Sequence, residues 1–186
     1  MQTSSPALST RPLTLAGQLA LLALGIVLLT LSAKAKVPFW PVPMTLQTLV
    51  VLGYAAFLGE VIGVGAVLGY LALGAVGYPV FAGTPEHGLG LAYMVGPTGG
   101  YLVGFVAAAF VVGRFGAGQS FVRRALALVA GVALIDGLGV LWLTTLFPVA
   151  DALAKGLGLF IVVDLIKAAI VAVGGSLAAP LLAKFR

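Results

Sequence analysis

The chain has 186 residues, 61% of them hydrophobic and only 8% charged, with a mean hydropathy of +1.19 and a net charge of +5. Soluble domains carry about 25% charged residues, so ten basic and five acidic side chains cannot cover an 18.8 kDa globule in water. A water-soluble fold is excluded, as is disorder, which requires few hydrophobic residues. The only adjacent basic pair is Arg123-Arg124, which argues against nucleic acid. Without cysteine there is no disulfide, thiolate nucleophile or cysteine metal site. The 26 glycines follow no G-X-Y period.

A helix needs about 20 mostly apolar residues to cross a bilayer. Such runs predict an all-α polytopic membrane protein: a cytoplasmic tail over 1–12, then one six-helix domain over 13–186. The spans are placed at about 13–33, 45–58, 61–77, 98–115, 125–147 and 156–183. The first is too long for the apolar part of a signal peptide and is read as retained. Only Gly59-Glu60 separates the second from the third, so five or seven spans remain open. Two connecting segments stand out. Residues 34–44 (KAKVPFWPVPM) carry three prolines that forbid a helix, and 78–97 carries Pro79, Pro85 and Pro97 among glycines. With the N-terminus inside, Arg11, Arg114, Arg123, Arg124, Lys184 and Arg186 face the cytoplasm, against Lys34, Lys36 and Lys155 outside. That bias puts both termini inside and both proline-rich loops outside.

Ionisable groups within spans are costly and mark functional sites by default. Asp136, Asp164 and Lys167 stand well inside. Asp164 and Lys167 are three apart, on one helix face, about 12–17 Å below the outer mouth at 1.5 Å per residue. Such a pair can receive a polar small molecule, or it can simply neutralise itself. Asp136 is read equally as a polar helix contact or a ligand group. Thr45, Gln47 and Thr48, at the outer start of the second span, are read as helix caps or as pocket lining. His87 beside Glu86 cannot close a metal site, and no H-E-x-x-H motif exists. Tyr54, Tyr70 and Trp142 are read as packing or interfacial aromatics. Small residues recur at Ala16, Ala20 and Ala23 and at Gly63, Gly65, Gly69, Gly74 and Gly77, a spacing that permits close helix approach.

Four stretches occur in register: PVPMTLQTL (41–49), GAVGYPVFAG (74–83), GPTGGYLVGF (96–105) and DLIKA (164–168). Together they resemble the BioY family, the biotin-binding S components of energy-coupling-factor (ECF) vitamin transporters, over about residues 13–183. The resemblance implies capture of biotin from outside the plasma membrane of a prokaryote. Delivery inward would require a transmembrane coupling subunit and two ATP-binding-cassette ATPases. It implies that Asp164 and Lys167 form the polar ligand pair, that the first and third loops wall the pocket, Gly83 included, and that Ala16, Ala20 and Ala23 form the docking face. Residues 84–88 (TPEHG) are more charged than the family pattern, and Asp136 matches no family position.

In this reading Asp164 accepts a ureido N–H, and Lys167 donates to the ureido oxygen or pairs with the carboxylate tail; the ureido head is preferred. Phe39, Trp40, Phe81 and Tyr101 are candidate walls for the apolar part. The resemblance implies a transporter subunit rather than an enzyme, with no cofactor; ATP hydrolysis is expected only in partner subunits, since no G-x-x-x-x-G-K-[ST] loop is present. The competing readings are a self-contained carrier or channel, and an intramembrane aspartyl protease built on Asp136 and Asp164.

Overall fold

A computed structural model describes residues 14–38, 40–86 and 88–182; the tail assigned to 1–12 lies outside these. Helix α1 (Leu15–Lys34) opens on Thr14, whose hydroxyl accepts the Gly17 N–H and satisfies one of the free donors of the first turn. Leu15, Leu19, Leu24, Val27 and Leu31 point away from the protein, an exposed apolar face suited to lipid. The segment after α1 is extended. Strand β1 (Lys36–Val37) pairs antiparallel with β2 (Met44–Thr45), with Lys36 opposite Thr45. The prolines between them prevent a helix, as the sequence implies.

Helix α2 (Gln47–Ala75) is assigned as one element but is broken at Gly59, whose φ of 84° and ψ of 179° are not helical. Its two halves, 47–58 and 60–75, fold back on one another. The Gln47 amide donates to the Tyr70 hydroxyl, and a Cβ on Gly63 would lie 2.9 Å from the Ala55 Cα. A continuous helix would hold residues 55 and 63 about 12 Å apart. Glycine is needed at the turn because a side chain resists positive φ. The hairpin therefore supplies the second and third apolar segments separately.

Helices α3 (Gly90–Met94), α4 (Gly99–Phe115), α5 (Phe121–Leu143), α6 (Val149–Gly156) and α7 (Gly158–Leu182) follow. Two of these correct the sequence-based boundaries. The 78–97 loop contains the short helix α3, and the last apolar run is preceded by a separate two-turn helix, α6. By length and hydropathy α1, α5 and the Val149–Gly175 stretch can each cross a membrane; α2 has the length and hydropathy only over both its halves together, and α4 is a shorter apolar helix of 17 residues.

Small residues allow the bundle to close. Added Cβ atoms on Gly25, Gly65 and Gly69 would meet Ala66, Leu22 and Ile26 at 2.6–2.7 Å, so these glycines set the α1–α2 approach. Gly104 does the same for α4 against the α5 backbone at Ile135, at 2.7 Å. At the Gly59 end, Glu60 pairs with Arg114 at 3.7 Å. The opposite end carries the β1–β2 segment, the 76–98 loop and α6, and is called the loop end below.

Candidate functional site: a polar pair in a roofed cavity

At the loop end the helices line a narrow cavity of about 40 Å³. Its roof comes from Val42–Thr45, Phe81 and Ala82. Its walls come from Gln47, Thr48 and Tyr70 of α2, Tyr101, Leu102 and Phe105 of α4, Ile135 of α5, and Phe160, Asp164 and Lys167 of α7. A second space of about 570 Å³, lined by Trp40, Gly96 and Phe147, shares Pro43, Ala82, Tyr93 and Thr98 with it. The shared residues place the outer space directly against the inner one.

The i, i+3 spacing on α7 brings the Lys167 ammonium to 2.6 Å from Asp164 Oδ1, with both side chains buried. The same ammonium donates to the Thr45 carbonyl at 2.7 Å, and the Thr48 hydroxyl donates to Asp164 Oδ2 at 3.1 Å. A buried ion pair is tolerable only when further hydrogen bonds complete it; here β2 and the first turn of α2 supply them. Ammonium and carboxylate each retain bonding capacity beyond these contacts.

Aromatic packing fixes the roof. Phe81 is fully buried, stacked on Tyr93 (centroids 4.7 Å apart) and edge-on to Tyr70 at 5.4 Å. Gly74 leaves room for its ring: a Cβ there would come within 2.0 Å of it. The Tyr93 hydroxyl donates to the Ala82 carbonyl at 2.7 Å, and burial raises that phenol above its ordinary range, keeping it a neutral donor. Lys34, ending α1, donates to the Phe81 and Thr84 carbonyls (2.9 and 3.2 Å) and to the Thr84 hydroxyl. Trp142 Nε1 donates to the Gly96 carbonyl at 2.9 Å, anchoring the other end of the same loop.

Of the residues singled out in the sequence, Thr45, Gln47, Phe81, Tyr101, Asp164 and Lys167 line the cavity. Trp40 does not. It lines the outer space, edge-on to Phe147 and beneath the Lys155 ammonium. Gly83 is buried in the loop without lining the cavity. Phe39 and His87 lie outside the described residues. Tyr70, read from sequence as packing, is a cavity wall bonded to Gln47. The available signal was the Gly59 turn, about which positions 47 and 70 are nearly symmetric. Phe160 and Lys34 carried no such signal. Among the described residues no group of acids, histidines or cysteines is placed to hold a metal ion.

The family model for the BioY family matches residues 2–184. The chain belongs to the BioY family. A relative from Thermotoga maritima, named a biotin transporter BioY, is 40% identical over 147 residues, covering 78% of this chain and 85% of its own. One from Pyrococcus horikoshii, named a probable biotin transporter BioY, is 38% identical over 154 residues, covering 83% and 91%. Among solved structures, the S component for biotin from an ECF-type ABC transporter superposes with a TM-score of 0.72 at 27% identity, covering 85% of this chain and 88% of that one. The BioY assignment thus rests on sequence over nearly the whole chain and on shared architecture.

Proposed function

We propose that this chain is the biotin-capturing S component of an ECF-type transporter, a transport subunit rather than an enzyme. One observation carries the reading: a hydrogen-bonded Asp164–Lys167 pair, buried in the wall of an otherwise mostly apolar cavity at the loop end. Small-molecule sites are mostly apolar with a few placed polar groups, and biotin matches that pattern with a ureido ring, a sulfur ring and an aliphatic tail. Asp164 accepts a ureido N–H while Lys167 donates to the ureido oxygen; the tail extends toward Tyr93 and Trp40. The names of the relatives and of the superposed structure support biotin as ligand.

The chain crosses the plasma membrane of a prokaryote six times, using α1, the two halves of α2, α4, α5 and α7. Both termini are cytoplasmic, and the loop end faces outward. The arginine and lysine bias along the sequence supports that orientation. Delivery inward needs a coupling subunit and two ATPases, docked on α1 at Ala16, Ala20 and Ala23, whose exposure supports the assignment. Uptake of labelled biotin by cells lacking their own biotin transporter tests this. Uptake should require the coupling module and should fall in Ala20→Trp while purified Ala20→Trp still binds biotin. Uptake by Ala20→Trp equal to the parent would remove α1 as the docking face.

A further inference from the structure

Among the described residues, Asp136 is the one buried acid that the proposed site does not use. It is 1% exposed on α5, one position from the cavity-lining Ile135, and neither carboxyl oxygen has a hydrogen-bond partner. A buried polar group without a partner requires an explanation. The groups facing it are the Asp164 carboxyl, within hydrogen-bonding reach, the Lys167 ammonium and the Tyr101 phenol. Tyr101 donates instead to the Gly156 carbonyl at 2.7 Å, and Lys167 donates to Thr45 and Asp164. Arg124, on the same helix, is twelve positions and so about 18 Å away.

This cluster contains two carboxyls and one ammonium, screened from water. With both acids ionised, one negative charge stays buried and uncompensated, and two acceptors face each other with no hydrogen between them. A single proton removes both faults: the charge balances, and one carboxyl becomes a donor to the other. Asp164 already binds Lys167 and the Thr48 hydroxyl as an acceptor, so the proton belongs on Asp136.

We propose that Asp136 is held as a neutral carboxylic acid that donates a hydrogen bond to Asp164, making it a positioning residue for the biotin site. The inference rests on the assignment of Asp164 and Lys167 as ligand groups. The bond fixes the rotation of the Asp164 carboxylate, so that its remaining lone pairs point into the cavity. A proton rather than a fixed cation also leaves the empty site electrically neutral.

Infrared spectroscopy of the intact protein in detergent at neutral pH reads the proton without any ligand. The stretch of a protonated carboxyl should be present in the parent, absent in Asp136→Asn and shifted in Asp164→Asn. Its absence from the parent would overturn the proposal whether or not the protein binds biotin. Binding then tests the positioning role. Asp136→Asn keeps an N–H donor and should bind biotin within about threefold of the parent; Asp136→Leu fills the volume without one and should bind about tenfold more weakly, the loss of one hydrogen bond. Equal binding by Asp136→Leu and the parent would make the residue purely structural. Equal weakening in both variants would make ionised Asp136 the functional form. Either result overturns the proposal.

Discussion

The Lys167 ammonium donates at 2.7 Å to the carbonyl of Thr45, 122 positions earlier in the chain. That bond ties the middle of α7 to the strand that begins the cavity roof, so one side chain both completes the ion pair with Asp164 and sets the height of the roof. The polar site and its cover are therefore one structural unit.

Breaking the pair from one side should be costly. Asp164→Ala leaves a buried ammonium without its counterion, a loss of about 3–5 kcal/mol. Replacing both partners with apolar residues, Asp164→Leu with Lys167→Met, should restore most of that stability while abolishing biotin binding. Thermal unfolding in detergent measures the first effect. A double variant less stable than Asp164→Ala would show that the pair is not self-compensating.

The space that Gly74 leaves for Phe81 gives a sharper packing test. In Gly74→Val the new methyl groups occupy the ring's position, forcing Phe81 from the roof at a cost of about 1–3 kcal/mol. Adding Phe81→Ala should then cost less than Phe81→Ala does alone, because the ring is already displaced. A double-mutant cycle on unfolding midpoints reads this, and strict additivity would refute the contact.

Tyr70→Phe removes the acceptor of the Gln47 amide donor in a buried position. The expected loss is about 1 kcal/mol in stability. Gln47→Leu should then cost less in the Tyr70→Phe background than alone, because the bond Gln47 keeps there is the long one from the Thr45 hydroxyl at 3.4 Å. Full additivity of the two substitutions would mean that the two halves of α2 are not coupled through this pair.

Most of the architecture was legible because apolar runs and in-register motifs are local signals. The apolar runs, the proline-rich loops and the Asp164–Lys167 pairing follow from spacing along the chain, whereas the ends of α5 and the separate helix α6 do not. What was not legible depended on distant segments meeting. Nothing local announces that Lys34 will bond Phe81 and Thr84, nearly fifty positions on. Tyr70 looked like packing until the Gly59 turn set it opposite Gln47. Trp40, an aromatic in the first loop, was assigned to the pocket by composition, but the extended segment carries it outward to Phe147. The glycines of the third apolar segment were weak evidence in so alanine-rich a chain; each gains meaning only from its neighbour across the helix interface.

Lys34 offers a prediction about kinetics. Lys34→Met removes the ammonium that gathers two carbonyls and a hydroxyl of the 81–84 segment, while leaving every cavity-lining residue in place. Hydrogen exchange in that loop should accelerate, and biotin dissociation should quicken more than association slows. Unchanged exchange over 78–97 would show that the Tyr93 and Trp142 bonds hold the loop without Lys34.

If the pair grips the ureido head, biotin amidated at its tail should compete as well as free biotin. A large loss on amidation would place the carboxylate, not the ureido ring, at Lys167.

The most direct test is calorimetric titration of the detergent-purified protein with biotin, with thiamine and riboflavin as controls, beside the Asp164→Leu/Lys167→Met double variant. The parent should bind biotin alone, and the folded double variant should bind nothing. Biotin binding of equal strength by both proteins would contradict the assignment of the site.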